Sequence, residues 1–113
     1  MFAFEIPGQR FSLPAGAAVE RCRFVSANAN SAGIPATAAT PVIGVSMNKV
    51  DVDQVLEIAD GIVVVEAGAA VTAGAAVYAD AEGKATTVEG TANVAGIALT
   101  SASAAGELIT VKM

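Results

Sequence analysis

Short runs of β-branched and aromatic residues alternate with turn-forming residues along the whole chain. Residues 2–6 alternate large and small or polar side chains, which is typical of a strand with one buried face. Residues 62–65 are continuously β-branched, as in a strand buried on both faces. The pattern predicts strands near residues 2–6, 19–25, 42–47, 62–65, 71–79, 94–99 and 108–111. It also predicts hairpin loops at residues 28–33 and 80–83, where Gly or Asn can adopt a positive φ.

Alanine favours helix, so residues 67–81 could be helical on propensity alone. Gly68 and Gly74 within this segment argue against a helix. Residues 48–59 place apolar side chains on one helical face, and a short helical turn near residues 50–54 stays an open alternative. The dipeptides Pro7-Gly8 and Asp60-Gly61 predict turns.

The chain repeats itself at an offset of 52 residues. The pentapeptide Ala-Gly-Ala-Ala-Val occurs at residues 15–19 and 67–71, and the same ungapped offset superposes Gly44 on Gly96 and Leu56 on Leu108. We therefore expect one all-β domain over residues 1–113, a small barrel or sandwich-like fold built from two similar halves, 1–52 and 53–113. Residues 1–10 are either an extended N-terminal arm or the first strand.

Composition excludes most catalytic sites. The chain has 113 residues, 54% of them hydrophobic, but 26 are alanine, and it contains one cysteine, no histidine and no tryptophan. Without histidine there is no imidazole base and no Ser-His-Asp or Cys-His pair. Cys22 alone forms no internal disulfide and no zinc cluster. We expect no enzymatic activity, no cofactor and no metal site, and a core so rich in small side chains favours stabilisation by a partner surface.

The net charge of −5 disfavours binding to nucleic acid or to anionic membranes. Residues 1–50 carry four basic and two acidic side chains, a sum of +2, whereas residues 51–113 carry two basic and nine acidic ones, a sum of −7. No segment resembles a secretion signal or a membrane span, which predicts synthesis in the cytoplasm. Arg21 and Arg23 would share one face of a strand, with Cys22 on the other, either to contact an acidic partner or as a solvated pair.

Two further groups have alternative interpretations. Asp51, Asp53 and Glu57 form a local carboxylate cluster, but its spacing lacks the glycine and terminal Glu of a calcium loop, which favours a solvated acidic loop. Lys84 lies in a predicted turn, as does the modified lysine of biotinyl or lipoyl carrier domains, although its context Ala81-Glu-Gly-Lys-Ala85 does not match theirs. A β-rich surface adhesin module is another alternative.

Residues 67–84, followed by Val94-Ala-Gly96-Ile97-Ala and Ala105-Gly-Glu-Leu-Ile-Thr-Val111, carry a family pattern. This stretch resembles the small capsid cement, or head decoration, proteins of tailed bacteriophages, which typically read "G-x-x-V-x-x-G-x-x-V-Y-x-D-x-x-G-K" and then "V-x-G-I-A". The resemblance implies a β-barrel-like homotrimer on the outer surface of the virion. There it would clamp neighbouring subunits of the major capsid protein.

The candidate capsid contacts are chosen from residues whose position or charge suits binding to a capsid protein. Phe2 and Phe4 are half of the phenylalanines and lie at a terminus, where strand addition to a partner is common. Arg10, Arg21 and Arg23 are the candidate basic contacts.

Overall fold

The computed structural model describes residues 6–28, 32–37, 40–88 and 94–113. In these ranges the chain is all-β and forms a curled antiparallel half-barrel, which confirms the predicted fold class. The strands are β1 (Ile6–Pro14), β2 (Phe24–Ala27), β3 (Gly33–Pro35), β4 (Gly44–Ser46), β5 (Val55–Glu66), β6 (Ala76–Ala79), β7 (Ala85–Thr86), β8 (Gly96–Ala98) and β9 (Leu108–Lys112).

The long strand β5 connects the two halves of the sheet. The strand order is β3-β2-β4-β5-β9-β8-β6-β7, and β1 also pairs with β5. The start of β5 pairs with β1 and β4, and residues 62–66 pair with β9. We call β1–β4 with the start of β5 (6–59) the first half-unit, and the rest of β5 with β6–β9 (60–113) the second half-unit.

The two half-units are paired alike. Val25 pairs with Gly44 in the first, and Val77 pairs with Gly96 in the second. The isolated bridges recur as well, since Ala15–Gly33 and Val19–Val50 are matched by Ala67–Ala85 and Val71–Ala102. Each of these partners is 52 residues from its counterpart.

The ungapped offset is wrong by one residue at β9. The Ala15 N–H donates to Gln54 O, and its counterpart at Ala67 donates to Glu107 O, an offset of 53 for the acceptor. The loop between Ala102 and Glu107 is therefore one residue longer than its counterpart. As a result Ile109, and not Leu108, corresponds to Leu56; both Leu56 and Ile109 are fully buried, whereas Leu108 is 46% exposed.

Several predicted turns and strands lie elsewhere. Pro7-Gly8 and Asp60-Gly61 fall inside β1 and β5, where the register shifts between Pro7 and Arg10 and Gly61 has a φ of 95°. The chain bends here through a bulge, which uses the same residue types as a turn.

The strand predicted from residue 19 begins only at Phe24. Arg21 and Cys22 form a turn in which Cys22 has a φ of 63°, matched by Gly74 at 90° in the second half-unit. The turn near residue 52 is not helical, and Asp53 adopts a φ of 68° there.

Each half-unit has its own hydrophobic core. The first core contains the bulky, fully buried side chains of Leu56 and Ile58. Three half-buried side chains pack against them, namely Phe11, Leu13 and Ile43. The second core has smaller residues at the equivalent positions, which are Val63, Val65, Ile109 and Val111. The second core therefore has room that its own side chains do not fill.

The first half-unit fills that room with its outward face. Phe24, Val45 and Ala59 stand side by side across β2, β4 and β5 and point away from the first core. All three are at most 1% exposed because they pack, together with Ala36, into the second core. We call this contact the seam; through it the first half-unit contributes buried side chains to the second core.

Glycine allows the strands to approach each other closely at two matched positions. A Cβ at Gly44 would lie 2.5 Å from Ile58 Cγ2, and a Cβ at Gly96 would lie 2.6 Å from the Lys112 carbonyl oxygen. Any side chain at either site would push β4 or β8 away from its neighbour.

Phe24→Ala tests the seam. It should lower the free energy of unfolding by about 3–5 kcal/mol, because it leaves a cavity where the described residues place one aromatic side chain in the second core. Urea denaturation followed by circular dichroism measures the loss. Phe11→Ala, at a half-buried position in the first core, is the control and should cost less; an equal or larger loss would show that Phe24 has no special role.

Candidate interaction surfaces

Arg10 is exposed on β1 and forms an ion pair across the sheet surface. Its Nη2 lies 3.0 Å from Glu57 Oε2, and the two side chains are 56% and 51% exposed. An exposed pair of this kind contributes little to stability. Arg10 can therefore exchange Glu57 for a partner's carboxylate at small cost.

Arg21 and Cys22 do not have the strand geometry expected from the sequence. Arg21 is exposed in its turn, and its Nε donates to the Met47 carbonyl oxygen at 3.3 Å. Cys22 is buried, as expected for a small apolar side chain. The positive φ of Cys22 breaks the alternation, so Arg21 and Arg23 lie in different surroundings.

Arg23 belongs to a charged cluster at the rim of the seam. Its Nη2 lies 3.3 Å from Glu66 Oε1, and its Nη1 donates to the Glu82 carbonyl oxygen at 3.4 Å. Lys84 Nζ lies 3.3 Å from the other oxygen of Glu66. Glu66 therefore joins Arg23 of the first half-unit to Lys84 of the second, with each of these three side chains less than a quarter exposed.

Two main-chain hydrogen bonds cross the seam beside this cluster. The Phe24 N–H donates to Gly83 O, and the Glu66 N–H donates to Cys22 O. The charged groups and the backbone together fix how the half-units meet. Sequence reasoning missed this cluster because its members are far apart in the chain.

Lys84 lies in the turn between β6 and β7 but does not present a free amine. It pairs with Glu66 and, at 3.5 Å, with Glu82, and its side chain is only 22% exposed. The hydrogen bond to Glu66, and then the charges of Glu66 and Glu82, raise the pKa of the Lys84 amine. These contacts disfavour the carrier-domain alternative, which needs an exposed and reactive lysine.

The acidic loop is solvated. Asp51 and Asp53 are exposed, and Glu57 faces Arg10. Across the described ranges, no three His, Cys, Asp or Glu side chains are grouped so that they could hold a metal ion.

An apolar surface lies on the second half-unit. Ile97 on β8 and Leu108 on β9 are 42% and 46% exposed, and Leu99, just after β8, is 39% exposed. Ile97 pairs with Lys112, which shares the outward face of β9 with Leu108. We call Ile97, Leu99, Leu108 and Lys112 the second outward face. It was not among the candidates from the sequence, although Ile97 corresponds to Val45 at the 52-residue offset.

A family model for phage cement proteins matches residues 7–113, nearly the whole chain. The chain belongs to the phage cement protein family. This confirms the resemblance drawn from the glycine and valine pattern of the second half-unit. The family is one of structural phage proteins associated with the capsid.

The fold of this cement protein is also found in a solved phage structure. The crystal structure of the N base of the head fiber protein gp8.5 of bacteriophage phi29 superposes with a TM-score of 0.75. The match covers 93% of this chain and 92% of that one, at 20% identity, so it shows a shared fold. None of the curated proteins matches this cement protein in sequence.

The cement protein has no helix, in the ranges described, that is long and apolar enough to cross a membrane. Of the five candidate contacts, Arg10 and Arg21 are exposed, Arg23 is held at the seam, and Phe2 and Phe4 lie outside the described residues.

Glu66→Gln tests the charged cluster of the cement protein. It removes the carboxylate shared by Arg23 and Lys84 and should lower the free energy of unfolding by about 1.5–3 kcal/mol. Glu57→Gln, which removes the carboxylate of the exposed pair with Arg10, is the matched control and should cost at most about 1 kcal/mol. Equal effects in denaturant titrations would mean that the cluster does not stabilise the seam.

Proposed function

We propose that this protein is a capsid decoration protein that binds the outside of the major capsid lattice and clamps neighbouring subunits. The family match over residues 7–113 carries the proposal. In this view the protein is made in the host cytoplasm, associates as a homotrimer and ends on the outer surface of the virion.

The fold suits a clamp. Both cores share β5, and the seam holds the half-units as one body, so a pull on one half-unit is transmitted to the other. Many symmetry-related copies that each bridge two capsid subunits would resist expansion together, although each contact is weak. Such a role needs surface and rigidity and uses no catalytic group.

The distribution of charge suggests which side faces the capsid. The exposed arginines Arg10 and Arg21 both lie on the first half-unit, whose four basic and four acidic side chains cancel, whereas the second half-unit (60–113) carries two basic and six acidic side chains, a net charge of −4. We place the capsid-facing surface on the first half-unit, with the acidic second half-unit towards solvent. An acidic outer surface also keeps particles dispersed and disfavours contact with nucleic acid or anionic membranes.

Arg10 and Arg21, with Phe2 and Phe4, are the proposed capsid contacts. Residues 6–10 belong to β1, so an arm could comprise residues 1–5 only. Arg23 would act indirectly, because its guanidinium is already engaged by Glu66 and Glu82.

Binding to expanded capsids that lack the protein tests this function. The wild type should bind the capsid exterior and raise the temperature at which the capsids rupture. The double variant Arg10→Gln/Arg21→Gln should bind about tenfold more weakly, because two rim charge pairs of up to about 1 kcal/mol each are lost. Lys49→Gln removes an exposed positive charge from the same half-unit and is the control.

Deletion of residues 1–5 tests the arm in the same assay. It leaves β1 in place and should weaken binding without changing the unfolding transition. Full binding by the folded truncation would exclude the arm. If the wild type does not bind capsids but binds cells or glycans, the proposed capsid-decoration function is wrong and the adhesin alternative is favoured.

A further inference from the structure

The second outward face corresponds to a surface that is buried in the first half-unit. Ala76, Ile97 and Lys112 stand side by side across β6, β8 and β9, as Phe24, Val45 and Ala59 do across β2, β4 and β5. Val45 is 1% exposed because it packs into the second core, whereas Ile97 is 42% exposed. Around Ile97 this sheet face is therefore open, whereas the matching position in the first half-unit is covered; Thr110, between Leu108 and Lys112 on β9, is fully buried.

The first core shows the complementary difference. Phe11 and Leu13 stand opposite Ile58 and Leu56 on the core side of β1, yet they remain half-buried. Their counterparts Val63 and Val65 have no exposed surface, because the outward face of the first half-unit packs over the second core. We call Phe11, Leu13 and the adjacent half-buried Ile43 the open edge of the first core.

The seam thus joins two kinds of surface, and among the described residues one further surface of each kind stays at least partly exposed. Ala76, with Ile97 and Lys112 of the second outward face, is the equivalent set to Phe24, Val45 and Ala59. The open edge is the unused equivalent of the valine layer that receives them. In repeat proteins a unit buries its apolar surface against the next unit, and the terminal surfaces remain open.

We propose that the second outward face of one copy docks on the open edge of the first core of another copy. The seam inside the chain is the model for this contact, and it favours a second copy of the chain over a different protein. Because the two surfaces differ, the contact is heterologous: it closes into a ring if the rotation allows and otherwise forms filaments. The proposal rests on the self-association included in the proposed function and adds the surfaces that form it.

Sequence differences make this contact weaker than the seam. Ala75 and Pro14 stand where the seam has Arg23 and Glu66, so the ion pair has no counterpart. In the seam the Glu66 N–H donates a hydrogen bond to Cys22 O. Pro14, the counterpart of Glu66, has no N–H and cannot form the equivalent bond. Ala76 replaces Phe24. Lys112 also stands where the seam has the fully buried Ala59, so the contact includes a charged side chain. We therefore expect association that is weak and reversible.

Sedimentation of the free, full-length protein tests the contact without capsids. The wild type should associate as its concentration rises. Ile97→Glu disables the second outward face, and Ile43→Glu disables the open edge; each variant alone should stay monomeric. An equimolar mixture should form one-to-one dimers, because each variant retains the surface that the other has lost. Val52→Glu, at a 55% exposed position in the turn near residue 52, is the control and should associate as the wild type does.

The remaining outcomes overturn the proposal. A wild type that stays monomeric at every concentration, or an Ile97→Glu variant that associates normally, contradicts it. If Ile43→Glu self-associates normally and the mixture forms no additional dimer, the second outward face pairs with itself. Circular dichroism checks that each variant folds, and Phe11→Ser replaces Ile43→Glu if the latter does not. Capsid binding is measured separately, so the proposed clamp can stand if this contact fails.

Discussion

The packing of Phe24 and Val45 into the second core is the contact on which the rest of the structure depends. Ala-rich half-units bury little apolar area each, and the second core has valine where the first has phenylalanine and leucine. Phe24, Val45 and Ala59 on the first half-unit's outward face pack into this core. The charged cluster around Glu66 lies at the rim of this contact and orients it.

This asymmetry between the half-units connects the fold to assembly. If both cores had been filled by their own side chains, the two half-units could have separated as independent domains, and neither outward face would have had a core to pack into. Instead, large side chains fill the first core, so the outward face of the first half-unit is free to pack into the second core. The equivalent face of the second half-unit remains for contact with another molecule. The fold thus combines two half-units joined by a buried contact with an exposed apolar surface, and both features suit a structural phage protein.

Much of the fold could be predicted from the sequence because its signals are local or repeated. The β-branched run at residues 62–65 indicated a strand, which lies within β5, and the match of Gly44 to Gly96 marks two places where strands approach closely. The strand predicted at residues 2–6 lies mostly outside the described residues. The one-residue insertion before β9 could not be seen, because Leu108 and Ile109 are chemically alike. The turn at Cys22 was missed since a non-glycine residue rarely takes a positive φ. The bulge between Pro7 and Arg10, opposite Asp60 and Gly61, uses turn residues inside strands.

The candidate surfaces were less predictable for a different reason. Exposure of Arg10 follows from its place in a polar stretch, but the engagement of Arg23 depends on Glu66, 43 residues away. Ile97 is exposed because the first half-unit packs over the second core and not the reverse. The two repeats are so similar in sequence that the sequence does not show which half-unit covers the other. Only the three-dimensional arrangement distinguishes a covered valine from its exposed counterpart.

Native-state hydrogen exchange under increasing denaturant measures most directly whether the seam makes one folded body. The slowest amides of β2 and β9 belong to different half-units and should converge on the same opening free energy and the same denaturant dependence. Opening of β9 at a distinctly lower free energy, while β2 stays protected, would contradict the account and show that the second core folds and unfolds by itself.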